Sequence, residues 1–336
     1  MKKIFIAFSM ALFAGCSSEI IDTEDKLQND LIGFSQITTK SGLDDVKANG
    51  FGVWASTSSS ANNSASILTN EKVYFDGSVW DYDNTRYWID DCKFFFFAVY
   101  PYTADNTLVT EHNIVNDGVN FTGYTMEVIT PDSADYDPLV AINVTDTGLD
   151  DYSKTVNLQF QHMMTKINLK ISQDFDKSPD FDYYVKKVSL SGIKGNGTLL
   201  AMPYGDVLYQ AWNFDNATSK SFSKIYNTPV RLRNPNASDK KVTINIFGDG
   251  LLLIPQNIEA NNVIVRVDYY YDINPNDDDI GVERYIEVSI PATDIWKGGQ
   301  AISYSLALSE QTDIKFSAPT IESWGSPQTG GTIIIK

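Results

Sequence analysis

Residues 156–171 read VNLQFQHMMTKINLKI and contain two alternating patterns. Apolar residues occupy the even positions from Val156 to Phe160 and the odd positions from Ile167 to Ile171, with polar residues between them. This period of two is typical of strands that bury one face and expose the other. Because a continuous strand cannot change its buried face, residues 162–166 are predicted to hold a bulge, a bend or a switch between sheets.

The same alternation recurs toward the C-terminus, in residues 242–246, 263–269 and 286–290. The last two stretches flank an acidic segment, residues 272–283, and are predicted to form a hairpin with a long charged loop. Tyrosine and phenylalanine are abundant, with 18 of each, and helical patterns are scarce. The sequence therefore predicts an all-β chain of two tandem β-sandwich domains, residues 31–153 and 154–336, behind a flexible tether at residues 16–30.

A block of aromatic residues between residues 80 and 97 admits two interpretations. Exposed rings could stack on sugars, which would make the protein a surface glycan-binding lipoprotein. However, the run from Phe94 to Val99 is apolar at every position, which indicates a strand covered on both faces. Core packing is therefore the favoured interpretation of Trp80, Tyr82, Tyr87, Trp88 and Phe94 to Phe97.

The N-terminus has the pattern of an export signal. Lys2 and Lys3 precede an apolar run that is too short to cross a bilayer, and Ala14-Gly15 then leads directly into Cys16. A cysteine at that position is typical of a bacterial lipoprotein signal, residues 1–15, with the lipid (palmitate and diacylglycerol) carried by Cys16. Lipidation would leave Cys92 as the sole remaining cysteine, so no disulfide within the chain is expected.

Charge and composition exclude several classes of function. The formal charge of −17 repels nucleic acid, so no nucleic-acid partner is expected. No catalytic motif occurs, and the two histidines, His112 and His162, have no nucleophile placed beside them by sequence. His162 is read as a structural imidazole rather than a general base. The run from Asp277 to Asp279 lacks the spacing of a calcium loop, so no metal site is predicted there. Together these observations predict that the protein is not an enzyme and holds no cofactor.

Seven short blocks, in order along nearly the whole chain, resemble the fimbrillin family, the lipoprotein precursors of type V pili. They are Gly50-Phe51-Gly52-Val53-Trp54, Arg86-Tyr87-Trp88, Phe95-Phe96-Phe97-Ala98-Val99-Tyr100-Pro101, Asp137-Pro138-Leu139-Val140-Ala141, Phe160-Gln161-His162-Met163-Met164-Thr165-Lys166, Ile254-Pro255-Gln256 and Ile321-Glu322-Ser323-Trp324. The resemblance implies two β-sandwich domains of transthyretin-like or Greek-key type and no catalytic centre. It also implies a surface-exposed, outer-membrane location in a fimbrium and a role in adhesion.

The resemblance further implies assembly by strand exchange, in which a protease removes the first strand and a strand of the next subunit replaces it. The displaced strand would be residues 31–39, with Leu31 and Ile37 on one face and Ile32 and Phe34 on the other. Lys40 is the preferred cleavage site and Lys47 the second, the alternative being that Lys40 is a solvated turn residue. Candidate donor material is the tail from Ile314 onward, with Ile333, Ile334 and Ile335 as the donor strand or as an ordinary intramolecular strand. The expected partners are other fimbrial subunits, the outer membrane through the lipid, and a host or bacterial surface ligand.

Overall fold

The computed structural model describes residues 31–39, 43–58, 64–104, 109–116, 119–132, 137–149, 152–176, 181–204, 207–234, 236, 241–258, 262–272, 281–291, 295–309, 316–323 and 333–335. Strands dominate these ranges, and α1 (Leu43–Asn49) is the one α-helix found in them. The all-β class predicted from the sequence is therefore confirmed. Within the same ranges no helix has the length and apolarity needed to cross a bilayer.

The N-terminal strands form a closed barrel and two additional strands. In chain order they are β1 (Gly33–Thr39), β2 (Phe51–Ser58), β3 (Ser64–Phe75), β4 (Trp80–Asp81), β5 (Lys93–Tyr100), β6 (Val109–Asn116), β7 (Val119–Ile129), β8 (Leu139–Asp146) and β9 (Thr155–His162). The barrel order is β1-β4-β3-β2-β5-β8-β9, and β1 pairs with β9 to close it. The sequence predicts a two-sheet sandwich for this half. A barrel forms instead, because β1 bonds to a strand on each side and leaves no free edge.

The strands that follow are β10 (Thr165–Gln173), β11 (Asp182–Lys194), β12 (Asn196–Tyr204), β13 (Val207–Asn213), β14 (Ser219–Arg231), β15 (Ile244–Asn245), β16 (Leu251–Leu253), β17 (Gln256–Asn257), β18 (Ile264–Asp272), β19 (Val282–Ser289), β20 (Ile295–Trp296), β21 (Gln300–Leu308), β22 (Thr320–Ser323) and β23 (Ile333–Ile335). Two sheets lie on either side of one apolar core. One has five strands, in the order β15-β10-β21-β22 with β16 also paired to β10, and the other has the order β14-β11-β18-β19. The antiparallel pairing of β18 with β19 confirms the predicted hairpin. Its acidic loop, including Asp277 to Asp279, lies outside the described residues.

A further five-stranded sheet covers the outside of the barrel. This covering sheet has the order β23-β13-β12-β7-β6. Its side chains share a core with the outer face of the barrel, where the rings of Phe97 and Tyr124 stack with their centroids 5.1 Å apart. Strand β5 is therefore buried on both faces, as its sequence predicts, with Phe94 and Phe96 inside the barrel and Phe97 and Val99 against the covering sheet.

The change of buried face at residues 162–166 is a switch between sheets. Strand β9 ends at His162 in the barrel, and β10 begins at Thr165 in the sandwich. Between them Met163 and Met164 are fully buried in the core beneath the covering sheet. The predicted irregularity at residues 162–166 is therefore confirmed, and of the three alternatives (a bulge, a bend or a switch between sheets) it is the switch between sheets.

Cys92 is not a free thiol. Its side chain is 1 % exposed within the barrel core, and it forms a disulfide. The expectation that Cys92 is unpaired is therefore wrong. The only other cysteine of the sequence is Cys16, which lies outside the described residues.

The boundary between residues 153 and 154 stays a prediction. Three strand pairings cross it: β9 pairs with β1 and with β8 in the barrel, and β12 pairs with β7 in the covering sheet. The two halves of the chain are thus joined by backbone hydrogen bonds as well as by side-chain packing.

Candidate functional site

Strand β1 completes the barrel, and it is held unequally on its two sides. On one side it runs parallel to β9, with five registered pairs from Gly33↔Thr155 to Thr39↔Phe160. On the other side it meets β4, a strand of two residues, with the single registered pair Phe34↔Trp80. One flank of β1 therefore rests on very few backbone contacts.

The side chains of β1 do not alternate strictly. Ile32, Phe34 and Ile37 are all buried, at 1 %, 6 % and 5 % exposure. The expectation that Ile37 shares a face with Leu31 is wrong, because the pairing with β9 shifts register between Ser35 and Thr38. The extra residue of this bulge turns Ile37 back toward the barrel interior. Leu31 is half-buried and forms an isolated bridge with Tyr87.

Phe34 occupies an aromatic pocket inside the barrel. Its ring centroid lies 5.5 Å from that of Tyr82, and 6.3 Å from those of Phe51 and Phe96. All three partners are close to perpendicular to it, at 79°, 83° and 85°. Edge-to-face contacts of this kind add about 0.5–1.5 kcal/mol each to the burial of the ring. Phe34 is therefore the main apolar anchor of β1.

Polar groups fix the register of β1. The Tyr82 hydroxyl donates to the carbonyl oxygen of Ile32 at 2.8 Å, and the Ile32 N–H donates to the carbonyl oxygen of Arg86 at 2.9 Å. The Arg86 N–H in turn donates to the Tyr82 hydroxyl at 3.0 Å. On the β9 side, Ser35 Oγ lies 2.8 Å from Thr155 Oγ1 and 3.0 Å from Asn157 Oδ1. Sequence reasoning missed this network, because nothing local to Tyr82 or Arg86 marks them as partners of a strand 50 residues away.

The two candidate cleavage sites differ in their surroundings. Lys40 follows the last residue of β1 and lies outside the described residues. Lys47 lies in the last turn of α1 and is half-buried, with Nζ 4.8 Å from the centroid of the Phe75 ring. Since proteolysis concentrates at exposed loops, this helical position disfavours cleavage after Lys47, and cleavage after Lys40 stays a prediction.

The candidate donor strand pairs within its own chain. Strand β23 runs parallel to β13, at the edge of the covering sheet, with the pairs Gln210↔Ile333, Ala211↔Ile334 and Trp212↔Ile335. Its side chains lie outside the described residues. This is the intramolecular arrangement that the sequence left open, and the donor role of Ile333, Ile334 and Ile335 stays a prediction.

The aromatic block does not form an exposed platform. Tyr82, Trp88 and Phe94 to Phe97 are each at most 7 % exposed, and most of them line the barrel core. Trp80 is half-buried against Phe51 and Phe75. Tyr87, at 42 %, is the exposed member of the block. The interpretation as core is confirmed for Tyr82, Trp88 and Phe94 to Phe97, and it is wrong for Tyr87.

His162 has a carboxylate partner that the sequence did not reveal. Its Nδ1 lies 2.7 Å from Asp137 Oδ2, which brings together the end of β9 and the segment before β8. The imidazole is 3 % exposed, so a substrate in solution does not reach it. This burial fits the structural reading of His162. His112 lies on β6, and its side chain is outside the described residues.

Comparisons with known proteins add the following findings. A family model described as fimbrillin-like matches residues 39–324. A curated relative, the fimbrium subunit Fim1C of Phocaeicola vulgatus, is 30 % identical over 249 residues. That match covers 66 % of this chain, and the chain spans 62 % of the relative's length.

Two solved structures are among those that the comparison matches to this chain. A fimbrial assembly protein from Parabacteroides distasonis has 10 % identity and a TM-score of 0.36, covering 87 % of this chain and 96 % of that one. The tip fimbrial protein Mfa3 from Porphyromonas gingivalis, truncated at its C-terminus, has 11 % identity and a TM-score of 0.32, covering 88 % of this chain and 98 % of that one.

Proposed function

The chain belongs to the fimbrillin-like family, and we propose that it is a structural, tip or accessory subunit of a cell-surface fimbria. In this proposal the fimbria is a type V pilus, its subunits join by strand exchange, and the assembly acts in adhesion. The barrel accepts a strand from a neighbouring subunit, and the C-terminal region donates one. The two regions would correspond to the two domains of transthyretin-like or Greek-key type that the family resemblance implies.

The observation that carries this proposal is the position of β1. It is the strand that closes the barrel, with five registered pairs on the β9 side and one on the β4 side. Removing it would expose the Phe34 pocket and an unpaired edge of β9. Exposed strand edges with alternating pockets recruit another strand, because backbone groups there need hydrogen-bond partners.

Release of β1 requires a cut close behind it. Lys40 is the proposed site, because it directly follows β1 and precedes α1. A trypsin-like protease would leave the barrel one strand short. A strand from the tail of the next subunit, from residue 314 onward, would then complete it.

Delivery to the outer membrane is proposed to depend on the lipid at Cys16. The short apolar run after Lys3 and the Ala14-Gly15 step directly before Cys16 support this proposal, because together they have the pattern of a bacterial lipoprotein signal.

Mild trypsin treatment of the purified chain tests the assembly proposal. Mass analysis should find a new N-terminus at Ser41, and electrophoresis without boiling should then show a ladder of heat-labile oligomers. Complete cleavage after Lys40 without any self-association would overturn strand exchange. Size-exclusion chromatography of the same samples shows whether the cut β1 leaves the barrel. This measurement distinguishes failure to release the strand from failure to replace it.

A further inference from the structure

The sandwich sheet β14-β11-β18-β19 carries three tyrosines on the face that points away from the core. Its other face supplies Val185, Val188, Val265 and Val267 to the sandwich core. Because side chains alternate along a strand, the residues between these valines lie on the outer face. Tyr184 and Tyr270 are direct cross-strand neighbours there, and Tyr285 is paired with Asp268, two residues along β18 from Tyr270. This surface is named the tyrosine face below.

A cation lies over the ring of each tyrosine of this face. The three pairs are Arg266 Cζ at 4.0 Å from the centroid of Tyr285, Lys186 Nζ at 5.4 Å from that of Tyr270, and Arg231 Cζ at 5.7 Å from that of Tyr184. Contacts of this kind hold a ring in one orientation, because the cation is attracted to the negative face of the ring. The three rings are therefore fixed in place.

Tyr285 is the most open of the three rings. The Arg266 guanidinium that covers it is itself held by two carboxylates, since it donates to Asp268 Oδ1 at 2.7 and 3.0 Å and to Glu287 Oε1 at 3.3 Å. Tyr285 is nevertheless 60 % exposed. One face of its ring thus lies on the guanidinium, and the other is open to solvent. A ring fixed in advance loses little conformational entropy when a ligand stacks on it.

The charges of the tyrosine face cancel, although the whole chain carries −17. Four cations lie among four carboxylates, namely Lys186, Lys187, Arg231 and Arg266 among Asp182, Asp268, Glu283 and Glu287. Three of the cations are in ion pairs, such as Lys186 with Glu283 at 2.7 Å. An uncharged ligand therefore matches this face better than an ionic one does.

The pairing of open rings with ion pairs fits a sugar. A pyranose presents C–H groups on one side of its ring, which pack on an aromatic side chain, and hydroxyls around its rim. Each hydroxyl both donates and accepts hydrogen bonds, whereas a carboxylate only accepts and a guanidinium or ammonium group only donates. The ion pair of Arg266 with Glu287, beside the Tyr285 ring, offers both functions to neighbouring hydroxyls.

Two other kinds of partner fit this face less well. A large apolar protein surface would strip water from the ion pairs, and their mutual attraction rarely repays that cost. An anionic ligand would meet Glu283 and Glu287, whose side chains are 55 % and 51 % exposed next to Tyr285. A small neutral ligand with many hydroxyls avoids both penalties, because it bridges the pairs and leaves them partly hydrated.

We propose that the tyrosine face binds uncharged glycan chains, with one sugar stacked on the open side of Tyr285 and its hydroxyls bonded to Arg266 and Glu287. This inference gives a ligand class to the proposed role in adhesion and rests on that role. The site lies on the sandwich, whereas the barrel and β1 carry the proposed assembly. The two proposals can therefore fail separately.

Isothermal titration calorimetry of the full-length chain tests the site. The uncharged probes are hexasaccharides of glucose, mannose, xylose and N-acetylglucosamine, and the charged probes are sialyllactose and a heparin hexasaccharide. At least one uncharged probe should bind with a Kd of about 1 mM or tighter. Tyr285→Ala should weaken this binding about tenfold or more, while Tyr285→Phe, which keeps the ring, should bind nearly as wild type does. Val144→Ala removes exposed apolar surface from the barrel instead, and it should bind like wild type.

The results divide as follows. Absence of binding by every uncharged probe, tighter binding of a charged probe, or equal binding by Tyr285→Ala and Tyr285→Phe would each overturn the proposed site. None of these results changes the trypsin and ladder test of assembly, which does not involve β19. If Tyr285→Ala does not fold, Arg266→Lys replaces it, because lysine keeps the charge and loses the planar stack on Tyr285. Weaker binding by that variant supports the site, and unchanged binding overturns it.

Discussion

The Tyr82 hydroxyl donates a 2.8 Å hydrogen bond to the carbonyl oxygen of Ile32, across 50 residues of sequence. This bond fixes the start of β1, because the same hydroxyl accepts from the N–H of Arg86, whose carbonyl oxygen accepts from the N–H of Ile32. The closing strand is thus held at its start by a closed ring of three hydrogen bonds. Along its length it is held by the Phe34 pocket.

Replacing Tyr82 with phenylalanine should destabilise the barrel by about 1–3 kcal/mol. The ring would still pack against Phe34, but the Ile32 carbonyl and the Arg86 N–H would lose a buried partner. Urea unfolding measures the change, with Tyr87→Phe as the matched control because Tyr87 is 42 % exposed on the same loop. Equal stabilities of Y82F and wild type would show that this ring of bonds contributes nothing.

The stability of the chain should fall in alkali through the same side chain. Burial raises the pKa of Tyr82 above its ordinary value of 10.0, partly offset by the hydrogen bond from the Arg86 N–H. The unfolded chain loses this phenolic proton first, so it binds fewer protons than the native state and unfolding becomes more favourable as the pH rises. The contribution of protonated Tyr82 to the free energy of unfolding is complete below pH 10, and it is lost as the pH rises through the raised pKa of the native state.

Comparison of wild type with Y82F isolates this effect from the other tyrosines and lysines. The difference in unfolding free energy between the two proteins should be constant from pH 7 to 9 and should shrink above pH 10. A difference that stays constant to pH 11 would contradict the assignment to Tyr82.

Substitution of Lys40 with glutamine should block maturation. Trypsin would then leave β1 attached, and no heat-labile ladder should form. Lys47→Gln is the matched control, because Lys47 lies in α1 with its Nζ over the Phe75 ring, and it should cut and assemble like wild type. Ladder formation by K40Q at the wild-type rate would exclude Lys40 as the processing site.

Lipidation should depend on Cys16 alone. Cells given an alkyne analogue of palmitate should label the wild-type protein and Cys92→Ser, and should not label Cys16→Ala. Absence of label in the wild-type protein, or labelling of Cys16→Ala, would contradict lipidation at Cys16.

Disruption of the pair between His162 and Asp137 should destabilise the end of the barrel where β9 meets the start of β8. Asp137→Asn removes the charge that faces the buried imidazole, and should cost about 1–3 kcal/mol in unfolding free energy. Asp132→Asn is the control, because Asp132 bonds Lys220 at the surface, where ion pairs contribute little. Equal losses of unfolding free energy in the two variants would show that the buried pair stabilises the protein no more than the surface pair does.

Local sequence determined the strand content of this protein and several features of its topology. The alternation in residues 156–171 predicted two strands with opposite buried faces, and β9 and β10 lie in different sheets. The apolar run from Phe94 to Val99 predicted a strand covered on both sides, as β5 is. Such features could be predicted because a strand's own side-chain period reports which of its faces are buried.

Four features became visible only in the tertiary structure. They are the closure of the barrel, the Phe34 pocket, the bulge that turns Ile37 inward, and the pairing of Asp137 with His162. The contacts of Ser35 with Thr155 and Asn157 join residues 120 and 122 positions apart. A period of two fixes which face of a strand is apolar, but it carries no information about the neighbour or the register. Those depend on hydrogen bonds and ring contacts between distant segments, which exist only once the chain has folded.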